Sequence, residues 1–153
     1  MSSISVEAEG TRELRPIAQS DAQQTFEIPT WGNPVTVTVP RGFSATFREG
    51  PDFDVCYFST SDQSGTVFGI YFGTSPDTRW PKGATETPGR VGGKQIAWHD
   101  WKEKQDGVAV FHREGIIRGV LDKVTLIHIF ISSESQDMVN KLAESASSLR
   151  RKH

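Results

Sequence analysis

A chain of 153 residues with one cysteine, 17 basic and 19 acidic side chains has the size of one domain and needs neither disulfides nor a metal to bury an adequate core. Its net charge of −2 argues against a general nucleic-acid binder, whose phosphate contacts demand a surplus of Lys and Arg. The longest apolar run, residues 124–131, is interrupted by Thr125 and His128 and falls far short of the roughly 20 residues needed to span a bilayer, so no membrane span is expected.

The start, Met1-Ser2-Ser3-Ile4, lacks the positive charge and apolar stretch of a secretory signal, so the chain as written carries no export signal. Residues 1–22 are polar, hold no sustained period and contain Arg15-Pro16. They read as a flexible or loosely docked arm ahead of a single α+β domain, 23–153. Charge is uneven: residues 1–77 carry ten acids and four Arg, net −6, while residues 78–153 carry nine acids and thirteen bases, net +4.

From Phe26 onward the hydrophobic period is two. Val35, Val37 and Val39 alternate with Thr36 and Thr38 between Asn33-Pro34 and Pro40, which predicts a half-buried strand. Short strands follow at 43–47 and Phe53–Ser59, joined by the turn Glu49-Gly50-Pro51-Asp52. The turn Asp62-Gln63-Ser64-Gly65 leads into a strand at 67–72, whose Gly69 suits the close approach of another backbone. Residues 73–93 are rich in Pro, Gly and Thr and read as a long connection.

A four-stranded meander is predicted next, over 94–102, 108–113, 116–121 and 124–131, with Asp106-Gly107 as its strongest hairpin signal and Glu114-Gly115 as a second reversal. The last strand is apolar on both faces and belongs in the middle of a sheet. Met138, Leu142, Ala146 and Leu149 then recur at helical spacing, with Ser133 and Gln136 placed as a capping box and Arg150, Arg151 and Lys152 at the C-terminal end. The expected architecture is therefore α+β, a mainly antiparallel sheet of about eight or nine short strands covered by a C-terminal amphipathic helix.

Thr38-Val39-Pro40-Arg41-Gly42-Phe43, the later Gly92-Gly93-Lys94 and the ending Ala146-Ser147-Ser148-Leu149-Arg150, in this order of elements, resemble the PsbP/Mog1-like superfamily of α/β/α accessory proteins over about residues 26–150. The resemblance implies a non-enzymatic role in binding or assembly and carries no catalytic residue onto this chain. The missing leader departs from the exported members.

Motifs for common chemistries are absent. Gly93-Lys94 has Pro88 and Gln95 where a P-loop needs Gly and Ser or Thr, and no dinucleotide fingerprint, nucleophile elbow or His-Glu-x-x-His motif occurs. Cys56, among Val55, Tyr57 and Phe58, reads as a buried structural thiol, and His128, between Ile127 and Ile129, as a core histidine with a satisfied hydrogen bond. A two-residue turn at Asp106-Gly107 opposes Gln105 to Val108. Trp101 then faces His112, Asp100 faces Arg113 and His99 faces Glu114. His99, Trp101, His112 and Glu114 thus share a face, read as a polar cross-strand ladder in preference to a zinc site.

Trp98 and Trp101 point to opposite faces of one strand, while Trp31 and Trp80 fall in loops. The expected function is a non-catalytic binding or accessory domain, of assembly-factor or toxin-immunity type. It needs no cofactor and engages a protein partner through Trp80, Trp101, His99 and His112. The alternative is a small-molecule site or metal-assisted hydrolase under the 74–93 loop, with Asp77, Arg79, His99, His112 and Glu114 as its polar groups. A third reading pairs the 35–39 strand with its copy in an oligomer.

Overall fold

Alternation of buried and half-buried residues is clean over residues 23–28, 35–40 and 44–47, and the strands sort into two layers that share one apolar core. The computed structural model describes residues 10–30, 33–61 and 65–152. Trp31, His153 and the Asp62-Gln63-Ser64 part of the expected turn lie outside the described residues.

Twelve strands occur among the described residues: β1 (Thr11–Leu14), β2 (Ala18–Gln19), β3 (Gln23–Ile28), β4 (Val35–Pro40), β5 (Ser44–Glu49), β6 (Phe53–Ser59), β7 (Val67–Gly73), β8 (Thr85–Val91), β9 (Lys94–Gln105), β10 (Val108–Arg118), β11 (Leu126–Ser133) and β12 (Arg150–Arg151). The helix α1 spans Gln136–Ser147. An eight-stranded antiparallel sheet has the order β1-β5-β6-β7-β11-β10-β9-β8, and a four-stranded sheet the order β12-β4-β3-β2.

This corrects the expected α+β class. The fold is mostly β, with twelve strands in two antiparallel sheets and one twelve-residue helix, where the sequence suggested a single sheet under a helical cover. Period-two alternation identifies strands but does not say which sheet each joins, and short strands such as β2 and β12 leave no period to read.

One face of the large sheet is the core face. Phe58, Phe68, Ile70, Phe72, Ile127, Ile129 and Ile131 from its central strands are fully buried there. The small sheet covers one half of this face, where Phe26 of β3 meets Phe58 of β6 edge to face at 5.9 Å. Helix α1 covers the other half, laying Val139, Leu142, Ala143 and Ala146 toward β10 and β11 while abutting β4. Both layers are therefore bound into one core.

Several local expectations change. Residues 85–91 form β8 and not part of a loop, so the connection after β7 shrinks to 74–84. Pro88 sits in this strand because β8 is the edge of the sheet, where an absent N–H breaks no ladder. No reversal occurs at Glu114-Gly115; β10 passes straight through, paired with β11 from Phe111↔Ser133 to Arg118↔Leu126. Gly115 is there because Ile96 packs where its side chain would stand. The helix cap is Ser135, whose hydroxyl accepts from the Met138 N–H at 3.1 Å, while Ser133 bonds Thr66. Arg150 and Arg151 form β12 and do not end the helix.

The 35–39 strand is interior, flanked by β3 and β12, and the Thr38 N–H donates to the Ser148 hydroxyl at 2.8 Å. It offers no free edge for a copy. Within residues 1–22, Thr11–Leu14 pairs with β5 and Ala18–Gln19 with β3.

Candidate functional site

The hairpin of β9 and β10 follows from its turn. Asp106 and Gly107 both take positive φ, 52° and 81°, the geometry that a two-residue turn between right-twisting strands requires. Gln105 then pairs with Val108, His112 with Trp101, Arg113 with Asp100 and Glu114 with His99, the register the sequence implies. Alternation sends Trp98 into the core and Trp101 to the opposite, outer face. Asp100 and Arg113 stand on the core-side face of the hairpin as a two-pronged ion pair, 2.7 and 3.3 Å.

On the outer face the rings form a stacked pair and a larger linked group. Trp101 stacks on His112 with centroids 4.8 Å apart and planes within 8°. The 74–84 loop folds Trp80 onto His99 at 4.5 Å, and its edge meets His128 at 5.9 Å. His128 in turn touches Tyr71 and Phe130, and Phe130 meets Tyr57 at 6.0 Å. Phe53 stacks on Tyr71 at 5.5 Å. Five strands, β6, β7, β9, β10 and β11, contribute rings to one surface, with Trp80 added from the loop.

Phe130 lies flat over the sheet because Gly69 on the neighbouring strand has no side chain; a Cβ there would fall inside its ring. Gly69 thus admits an aromatic ring and not another backbone.

Three carboxylates accompany the rings. Glu114 Oε1 lies 2.9 Å from His128 Nε2, fixing an otherwise buried imidazole. Glu103 Oε1 lies 2.8 Å from His112 Nε2 but without the alignment of a hydrogen bond. Glu86 is exposed on β8 opposite His99.

All four expected binding residues, Trp80, Trp101, His99 and His112, are on this face. The structure joins them as two stacked pairs. Trp80 packs over the outer face, away from the edge of the core. His128 and Glu114 belong with them. His128 does make the expected satisfied hydrogen bond, but from the outer side of the sheet. The signal that could have found this pair is register: with β10 continuous, His128 opposes Ile116 and is therefore diagonal to Glu114.

Chemically, the face combines aromatic rings with three imidazoles and carboxylates. Among the described residues no group of three or more His, Cys, Asp or Glu is arranged to hold a metal ion. His99, His112 and Glu114 turn to three different partners, Trp80, Trp101 and His128, which is why a shared ion has no seat. Cys56 lies on the core face, and burial pushes its thiol up to about 12. In the 74–84 loop Asp77 is held down at about 2 by its two-pronged hydrogen bonds to Arg79, so these two groups satisfy each other at the surface. An open groove of about 590 Å³ runs along β8, lined by Glu86 to Arg90 and Gln95 to Ala97, and it does not reach Trp80. Among the described residues no helix is long and apolar enough to cross a membrane.

No protein-family model matches the chain, and no curated protein matches it at a significant level. Its fold is similar to that of a protein from Bacteroides thetaiotaomicron VPI-5482 with a crystal structure at 1.50 Å resolution, at a TM-score of 0.54 and 12% identity over 78% of this chain. The chain spans 45% of that protein's length, and the likeness is one of fold.

Proposed function

We propose that this chain is a non-catalytic binding domain of accessory type that engages a protein partner through the outer face of its eight-stranded sheet. The observation that carries this reading is the pair of parallel stacks, Trp80 on His99 and Trp101 on His112, set beside Glu86, Glu103 and Glu114. Rings held in place by their neighbours offer large contact area at little further entropic cost, which is the property of interface anchors. Carboxylates among aromatic faces suit Arg-bearing segments, because a guanidinium stacks on a ring while its N–H fork meets a carboxylate. The favoured partner segment is therefore basic and rich in Arg.

A peptide array tests this. Arg-rich segments are expected to bind saturably, with a change in tryptophan fluorescence, and more tightly than the same segments with Lys in place of Arg. Binding should fall at least tenfold in Trp80→Ala/Trp101→Ala and more modestly in Glu103→Gln. Retention of full affinity by the double tryptophan variant, or preference for acidic segments, would remove the proposal.

A further inference from the structure

We infer that the end of the molecule formed by the β8–β9 turn, the β10–β11 turn and β12 is a docking surface for an anionic phospholipid bilayer, with Val124 as the side chain that enters the headgroup layer. Three segments distant in sequence converge there. The Gly92 N–H donates to the Ser147 carbonyl at 3.3 Å, and the Gly92-Gly93 turn lines a shallow recess with Leu149 and Arg150. Lys94 crosses to the next hairpin, its Nζ beside Gly119. Arg90, Lys94, Arg118, Lys123 and Arg150 are all exposed. These five come from the half of the chain with net charge +4, so the uneven charge of the sequence has a place in space.

The acids nearby are few or already engaged. Asp122 accepts hydrogen bonds from the Val124 and Thr125 N–H groups at 2.9 and 2.6 Å, and Glu27 pairs with Lys152. Glu49 and Asp52 at the β5–β6 turn stand at least three strand spacings from β10, about 14 Å.

The β10–β11 turn adds an apolar element. Leu121 and Thr125 are buried and Val120 packs on the core, yet Val124 is 69% exposed, the most exposed large apolar side chain among the described residues. Asp122 ties down the backbone on which Val124 stands, so the side chain is presented and not merely loose. Nucleic acid or an acidic peptide would use the bases alone. An aliphatic tip among bases matches the two-part chemistry of a bilayer surface, an acyl boundary beneath anionic headgroups.

Co-sedimentation of the full chain with vesicles of phosphatidylcholine, with and without phosphatidylserine, tests the inference. Binding is expected only with phosphatidylserine and should weaken as salt is raised. Each neutralised base should cost about fivefold, so Lys94→Gln/Arg118→Gln should lose roughly 25-fold. Val124→Ser should weaken and Val124→Phe tighten binding at every salt concentration. All these positions are exposed, so unchanged thermal unfolding will show the variants folded. Trp80→Ala/Trp101→Ala should bind vesicles as the parent does, which separates this surface from the aromatic face. Absence of binding to phosphatidylserine vesicles, indifference to both Val124 variants, or tighter binding to single-stranded DNA than to vesicles would overturn it.

Discussion

The outer aromatic face depends on one missing side chain, and replacing it gives a result whose sign depends on a neighbour. In Gly69→Ala the new Cβ would lie closer than 3.0 Å to the Phe130 ring, a separation that real Cβ atoms essentially never show. Overpacking of this kind costs about 1–3 kcal/mol. Against it stands the gain from removing a strand glycine, about 0.5–1 kcal/mol. The net expectation is a loss of about 1–2 kcal/mol, a fall of roughly 2–8 °C in melting temperature for a chain of this size. Removing the ring inverts the balance: in a Phe130→Ala background the overpacking disappears and the same Gly69→Ala change should stabilise by about 0.5–1 kcal/mol. Urea unfolding of the four proteins in the cycle reads the coupling directly, about 1.5–3 kcal/mol from these two effects. Near-ultraviolet circular dichroism of the single variant should also change, because Phe130 is seated between Tyr57 and His128. Equal effects of Gly69→Ala in both backgrounds would refute the argument that Phe130 is positioned by Gly69.

Two further predictions concern single groups. Cys56 is buried and its thiol raised to about 12, so an aromatic disulfide at neutral pH should label it only at the rate of global unfolding; fast labelling of the folded protein would contradict its burial. The Asp122 carboxyl is lowered by hydrogen bonds from Thr125 and Val124. Its contribution to turn stability is present above the ordinary carboxylate range and is lost as pH falls through its own lower midpoint. NMR titration should find that midpoint depressed, with faster amide exchange at Val124 and Thr125 below it. An ordinary midpoint would count against the cap.

The hairpin was legible because Asp-Gly makes a two-residue turn, and that turn alone fixes which residues of β9 and β10 oppose each other. It placed His99, Trp101, His112 and Glu114 on one face. The amphipathic stripe likewise located α1. What lay beyond reach were contacts between elements with no short covalent link. Trp80 arrives on His99 from a loop, and nothing in its neighbours Pro81 and Lys82 names its target. His128 joins Glu114 only if β10 continues through Gly115, and a Glu-Gly pair reads as a turn until Ile96 is known to pack over it. β8 was obscured for a related reason: Thr-Glu-Thr-Pro-Gly-Arg-Val has loop composition, and only an edge position makes Pro88 acceptable in a strand. The split into two sheets is the largest omission, since alternation along one strand contains no information about layers.

Pro88 has a consequence for how copies of this chain behave when crowded. A long, flat, unpaired strand is a template on which a second molecule can grow the sheet, the first step toward fibrous aggregates. β8 is seven residues long and would be such a template, but the proline at its centre removes a donor and the ring obstructs an incoming strand. The opposite border, β1, is only four residues long. Growth by sheet extension is thereby discouraged at both borders of the large sheet, and its outer face can stay uncovered without the molecule becoming a seed for its own precipitation.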